Sequence, residues 1–128
     1  MKTKTRTLTE QELEIMKVVW EKRTATVREV YESLRDRKPV AYTTVMTMMN
    51  ILEGKGHLAK RPEGRAYVYE PTQDRTEVIS GMVQDFVNRV FDGAARPLLL
   101  NLVQEQKLSR DDLDEISRLI EDVKEEEP

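Results

Sequence analysis

Between Ala41 and Leu52 the chain carries Thr43, Thr44, Thr47 and Asn50, and not one charged residue. Hydroxyls and a carboxamide are short donors and acceptors, and threonine adds a methyl. The spacing predicts a helix with two unlike sides. Val45, Met48, Met49 and Leu52 fall at i, i+3, i+4 and i+7, the pattern of one buried stripe. Thr43, Thr47, Asn50 and Ile51 lie on the opposite side, with Thr44 and Met46 at its edges. An ordinary solvated face is laced with Lys and Glu. A face of hydroxyls, amide and methyls suits a helix that lies against something, and the edges of DNA bases are such a surface. The competing reading is a buried or partner-packed helix with tolerated threonines.

The neighbouring elements decide how that face is held. Thr9-Glu-Gln-Glu12 and Thr26-Val-Arg-Glu29 are capping boxes, in which hydroxyl and carboxylate satisfy the free N–H groups of a first turn. The first opens a helix expected to bury Leu13, Met16 and Trp20. The second opens one expected to bury Val27, Val30, Tyr31 and Leu34, stopping before Pro39. The threonine-rich helix ends at Gly56, a C′ glycine. Two strand-like runs follow, Leu58–Arg61 and Arg65–Glu70, expected to be joined by Pro62-Glu63-Gly64. Tyr67 and Tyr69 share one strand face; Trp20, Tyr31 and Tyr67 are expected in the core and His57 in a structural place. Three helices and a basic hairpin make the layout of a winged helix-turn-helix, with the threonine-rich helix where a recognition helix sits.

Pro71-Thr72 opens a second part. Asp74-Arg-Thr-Glu77 caps a long helix running toward Gly93, Pro97 opens a short one, and Ser109-Arg-Asp-Asp112 caps a last one. Their apolar residues cover more than one stripe, too much for lone surface helices. About 55 residues make a poor independent core. Two copies sharing one core resolve this, through Ile79, Met82, Val83, Phe86, Val90, Phe91, Leu98, Leu99, Leu102, Leu113, Ile116 and Ile120. The alternative is that these helices fold back onto the first part. The expected architecture is mainly α: a winged-helix DNA-binding domain over 1–71 and a three-helix dimerisation region over 72–128.

Charge follows the same division. Residues 1–71 hold 14 Lys and Arg against 10 Asp and Glu, a net of +4; residues 72–128 hold 7 against 14, a net of −7. The basic part can approach phosphate, and the acidic part should lie away from it. The chain has no cysteine and one histidine, which leaves neither a thiolate nor a paired-histidine metal site. No nucleophile–base pair or glycine-rich phosphate loop suggests an enzyme, and no cofactor or metal is called for. The carboxylates at Asp111, Asp112, Asp114 and Glu115 fit first-turn charges favoured by the helix dipole. No apolar run approaches the ~20 residues of a membrane span. Met1–Thr7 is basic and polar with no apolar run behind it, so no secretory signal is expected and a soluble cytoplasmic protein is.

With double-stranded DNA as partner, each residue type has a role. Free N–H groups of the helix starting near Tyr42 can meet a phosphate. Thr43, Thr44 and Thr47 can bond to phosphate or base, and Asn50 is the candidate for two-point reading of adenine. Met46 and Ile51 offer apolar contact to thymine methyls, although Met46 suits packing against a neighbouring helix equally. Arg28, Lys55, Lys60, Arg61 and Arg65 are the candidate phosphate or minor-groove contacts, with Lys2, Lys4 and Arg6 as a loose basic arm. No Arg or Lys lies on the helix before Lys55, so an A·T-biased site is expected.

Several stretches together resemble the penicillinase-repressor (BlaI/MecI) family. They are Leu8-Thr9-Glu10, Trp20, Ala41-Tyr-Thr-Thr-Val-Met-Thr47, Leu52 with Lys55-Gly56, and Gly64-Arg-Ala-Tyr-Val-Tyr-Glu-Pro71. Phe86, Phe91-Asp-Gly93, Leu98-Leu-Leu-Asn-Leu-Val103 and Leu108-Ser109 are similar to that family's dimerisation part. The resemblance implies a homodimeric transcriptional repressor on an inverted-repeat operator with TACA/TGTA-type half-sites. Thr44 and Thr47 match threonine positions on its recognition helix. Family members often carry Lys or Arg where this chain has Thr43, Met46 and Ile51. In the β-lactam branch a membrane sensor protease triggers cleavage, and the matching bond is Asn101–Leu102, with Leu102 replacing the usual aromatic. The cysteine-rich tail of the copper-responsive branch is absent. A winged-helix module that binds protein through the threonine face, without DNA, is the alternative function.

Overall fold

The computed structural model describes residues 8–126; the basic arm at Lys2, Lys4 and Arg6 lies outside them. Six helices and one hairpin follow in order: α1 Glu10–Lys22, α2 Val27–Arg35, α3 Tyr42–Gly54, β1 Leu58–Glu63, β2 Ala66–Pro71, α4 Arg75–Phe91, α5 Ala95–Gln104 and α6 Arg110–Glu126. The chain divides into two compact units that part after Asp85, within α4. The first is a winged helix-turn-helix with a two-stranded antiparallel wing.

Local chemistry sets the helix ends. Thr9 and Thr26 form complete capping boxes with Glu12 and Glu29. The Glu77 N–H donates to Asp74, and Ser109 and Asp112 bond reciprocally. At the end of α3, Gly56 takes φ +89°, while the Gly56 and His57 N–H groups donate to the Glu53 and Leu52 carbonyls. That is a Schellman ending, and it turns the chain sharply into β1.

The core of the first unit forms where α1, α2, α3 and the wing meet. Ile15, Met16, Val18, Val19, Val30, Leu34, Val45, Met49, Leu52, Leu58 and Tyr69 are buried together. Leu13 and Trp20, expected inside, are only half-buried at its edge. The true inner stripe of α1 runs through Glu12, Ile15, Met16 and Val19, and a carboxylate at its head hides it from a hydrophobic pattern. Val78 belongs to the same cluster and Met82 packs against it, so the start of α4 completes this core. Trp20 Nε1 fastens the connection by donating to the Gln73 carbonyl at 3.2 Å.

The wing corrects two expectations. Glu63 pairs with Ala66 and Pro62 with Tyr67, so the turn is Gly64-Arg65 rather than Pro62-Glu63-Gly64. Gly64 has φ +63°, as the first residue of a type II′ turn needs. Proline fits the strand because, in alternating antiparallel pairing, its missing N–H faces away from β2. Tyr67 is 52% exposed, not core: it lies near the tip of the wing, past the helices that cover Tyr69. Tyr69 is also bonded through both backbone groups to Ala25, a third strand-like contact on the inner edge of β2.

The second unit holds the last residues of α4 with α5 and α6. Phe86 and Phe91 meet edge to face at 5.8 Å. No residue of α5 is buried, and the described side chains of α6 are exposed apart from the half-buried Ile116. Val90, Leu99, Leu100, Val103, Leu113, Leu119, Ile120 and Val123 are all at least 40% exposed. Leu98 and Leu102 are half-buried. Isolated helices of this length are marginal in water, and most of their stability comes from packing an apolar face. Among the described residues that face is open to solvent. Among the described residues no helix is long and apolar enough to cross a membrane.

Candidate nucleic-acid interface

The structure sets α3 as a ridge on the first unit. Val45, Met49 and Leu52 fix its inner side, while Tyr42, Thr43, Thr44, Met46, Thr47, Asn50 and Ile51 are exposed. Met46 and Ile51 are 40% and 46% exposed, so no neighbouring helix covers them. Ala41 caps the helix in extended conformation with no side-chain bond, which leaves first-turn N–H groups open. The Tyr42 ring is steadied edge-on by Tyr31 at 5.5 Å.

A groove runs along each flank of the ridge. One lies between α3, the start of α2 and the wing, and brings together Arg28, Tyr42, Met46, Asn50, Lys60 and Arg65. Arg28 is bonded to Glu32 at 3.2 Å on an open surface, a pairing too weak to hold it from a phosphate. The other groove lies between α3 and the start of α1, lined by Thr43, Thr44, Thr47 and Ile51. A DNA major groove, roughly 12 Å wide, admits a helix only if both flanks are free for its walls. Both are free here.

Two cations expected at the interface are placed otherwise. Lys55 donates to both oxygens of buried Glu12, at 2.8 and 3.0 Å, so its charge is engaged inside the fold. Burial alone would raise the Glu12 carboxyl, but the bonds from Lys55 and Thr9 outweigh it and hold it below its ordinary value. Arg61 sits on the opposite strand face from Lys60 and pairs with Glu63 at 3.2 Å. His57 is buried, in line with a structural place.

Asn50 is exposed, yet its carbonyl is occupied. Tyr69 Oη donates to Asn50 Oδ1 at 3.0 Å, and Lys60 Nζ approaches the same oxygen at 3.4 Å. Lys60 and Tyr69 are direct cross-strand partners, which explains why both reach one atom. The Lys60 ammonium also lies over the Tyr67 ring, 4.8 Å from its centre. Two-point reading of adenine needs that carbonyl as an acceptor, so the expected contact does not fit this geometry. Burial, with Glu53 nearby, pushes the Tyr69 phenol above its ordinary value, which keeps it a donor. Sequence reasoning missed this link. The pairing of Tyr69 with Ala25, which turns the ring under α3, has no local signature. No cluster of potential metal ligands occurs among the described residues.

Residues 8–122 match the family model described as penicillinase repressor. The penicillinase repressor of Bacillus licheniformis is 31% identical over 117 residues, which cover 91% of each chain. The solution structure of the DNA-binding domain of the repressor BlaI is similar to this chain with a TM-score of 0.53 at 33% identity, covering 59% of this chain and 92% of that one. The Bacillus licheniformis BlaI monomer in complex with the blaP half-operator gives 0.50 at 34% identity, over 60% and 93%.

Proposed function

Because the chain belongs to the penicillinase repressor family, whose members are transcriptional regulators and not enzymes, we propose that it represses transcription as a homodimer on an A·T-biased inverted-repeat operator. The observation that carries this is the uncharged exposed ridge of α3, free on both flanks, with Arg28, Lys60 and Arg65 ranged along one of them. In the relative's complex a monomer is bound to a half-operator, which supports one winged head per half-site.

Thr43, Thr44 and Thr47 then supply hydroxyls and methyls to base edges or phosphates, and Met46 and Ile51 meet thymine methyls. Tyr42 and the open first turn of α3 face the backbone. Arg61 and Lys55 contribute little to DNA, and the phosphate contacts fall to Arg28, Lys60 and Arg65. The dimer forms through the open apolar faces of α4, α5 and α6, a two-fold arrangement that makes the operator an inverted repeat. The domains then meet their tasks as a DNA-binding head and a dimerisation part. Such a repressor works where the chromosome is, in the cytoplasm and with no membrane insertion.

Release by a membrane sensor protease fits the same frame. Asn101–Leu102 lies inside α5, so cutting requires that helix to open. A helix that buries none of its own residues opens at low cost until a partner covers it. Cutting there would break the shared core and return each head to single-site affinity.

The experiment is a salt series on an inverted-repeat duplex selected from random sequence. Arg28, Lys60 and Arg65 from two heads neutralise about six phosphates, so affinity should fall roughly 10³-fold between 50 and 200 mM salt. Salt-independent binding to a protein and none to DNA would favour the interaction-module reading.

A further inference from the structure

The following rests on the DNA-binding reading and specifies what one position of the half-site must offer. A carboxamide oxygen has two lone pairs, and those of Asn50 are taken by Tyr69 Oη and Lys60 Nζ. Tyr69 is a firm partner. It is 3% exposed and its backbone is bonded twice to Ala25, at 2.8 and 2.9 Å. A buried phenol stripped of its acceptor is unfavourable, so the carbonyl stays turned toward the wing. The Asn50 Nδ2 makes no hydrogen bond among the described residues, and the residue is exposed. What it presents outward is N–H alone. Lys60, a donor without acceptor capacity, stands beside it with N–H groups to spare.

Base edges answer this pattern differently. Adenine shows an acceptor at N7 and a donor at N6; guanine shows acceptors at both N7 and O6. Donors facing the N6 amino group are mismatched, whereas donors facing guanine are matched twice. The α3 helix carries no Lys or Arg, and the wing lends it one at this point. We propose that Asn50 is a specificity-determining residue whose amide, oriented by Tyr69 and Lys60, donates to the acceptor edge of a guanine and disfavours adenine. Tyr69 is then a positioning residue. The base that Asn50 meets in each half-site is then a guanine.

A phosphate oxygen has the same acceptor chemistry, so the experiment separates the two sources. The full chain is titrated onto its selected duplex and onto duplexes with single changes in the half-site. One guanine per half-site is replaced by adenine or by 7-deazaguanine, which lacks the N7 acceptor, and flanking phosphates are replaced singly by methylphosphonate. The wild type should lose about tenfold with either base change, the worth of one good base-edge contact, and Asn50→Ala should hardly respond to them. Tyr69→Phe keeps the ring and frees the carbonyl, so its guanine-to-adenine ratio should move toward one; a thermal melt of each variant confirms folding. A guanine preference unchanged in Asn50→Ala, a preference for another base there, or sensitivity to methylphosphonate in place of 7-deazaguanine would overturn the assignment. Each of those outcomes leaves DNA binding intact. Absence of salt-dependent binding to any duplex would overturn both readings together.

Discussion

Lys55 Nζ lies 2.8 Å from Glu12 Oε2, so the residue that caps the end of α3 is tied to the third residue of α1. The same carboxylate accepts the Thr9 N–H in the first capping box. One buried acid therefore closes a helix start and anchors the foot of the α3 ridge.

Removing the cation should be costly. Lys55→Met leaves a buried carboxylate without its counter-ion, a loss of about 1–3 kcal/mol. Glu12→Gln keeps an oxygen for Thr9 and should lose less. Urea midpoints of the two variants check the order, and equal stability of Lys55→Met and wild type would refute the anchoring role.

The same carboxylate gives the fold an acid limit. Its value in the folded chain lies below its ordinary 4.5, chiefly because Lys55 and Thr9 overcome the effect of burial. A depressed acid contributes stability that is fully present above the unfolded value and is lost as pH falls through the folded one. Denaturation midpoints should therefore hold from neutrality down to pH near 4.5 and drop below it, more steeply for wild type than for Glu12→Gln. Parallel curves for both proteins would show that Glu12 is not the group responsible.

The head should need the start of α4. Val78 is 6% exposed within the first unit's core, and Gln73 holds Trp20. A fragment ending at Pro71 loses both, and burying a valine alone is worth about 1.5–3 kcal/mol. A fragment ending at Asp85 should melt well above one ending at Pro71. Equal melting temperatures would mean that α4 adds nothing to the head.

These residues also mark how far the sequence could be read. The four helix starts at Thr9, Thr26, Asp74 and Ser109 were legible because a cap is settled within three residues. The C′ glycine at Gly56 was legible for the same reason. The three helices and the wing followed, as did the exposed side of α3, which its lack of charge betrayed. Pairings across the chain were not legible. Glu12 meets Lys55 over 43 positions and Asn50 meets Tyr69 over 19, and only tertiary packing brings them together. Strand alternation put Tyr67 and Tyr69 on one face but said nothing of how far the helices reach along it. The partners of Lys55 and Arg61 were hidden too, because a sequence shows a charge without showing what it pairs with.

The open face of α6 should be the joint between two copies. Ile120 is 50% exposed there, so Ile120→Asp adds a charge without disturbing the head's own core. Sedimentation should then show a monomer. Affinity for the inverted repeat should fall by about 10²–10⁴ as the second contact ceases to be intramolecular, while affinity for a lone half-site stays unchanged. A variant that remained dimeric would move the joint elsewhere.

The most direct test is a stoichiometric titration of the full chain onto a duplex recovered from random sequence, repeated with Lys60→Ala and Arg65→Ala. Two protomers should fill one two-fold symmetric, A·T-biased site, and each substitution should lower the slope of log affinity against log salt by about one for every phosphate no longer neutralised. A single protomer on an asymmetric site, or a slope indifferent to both substitutions, would contradict the proposal that two winged heads grip DNA through α3 and the wing.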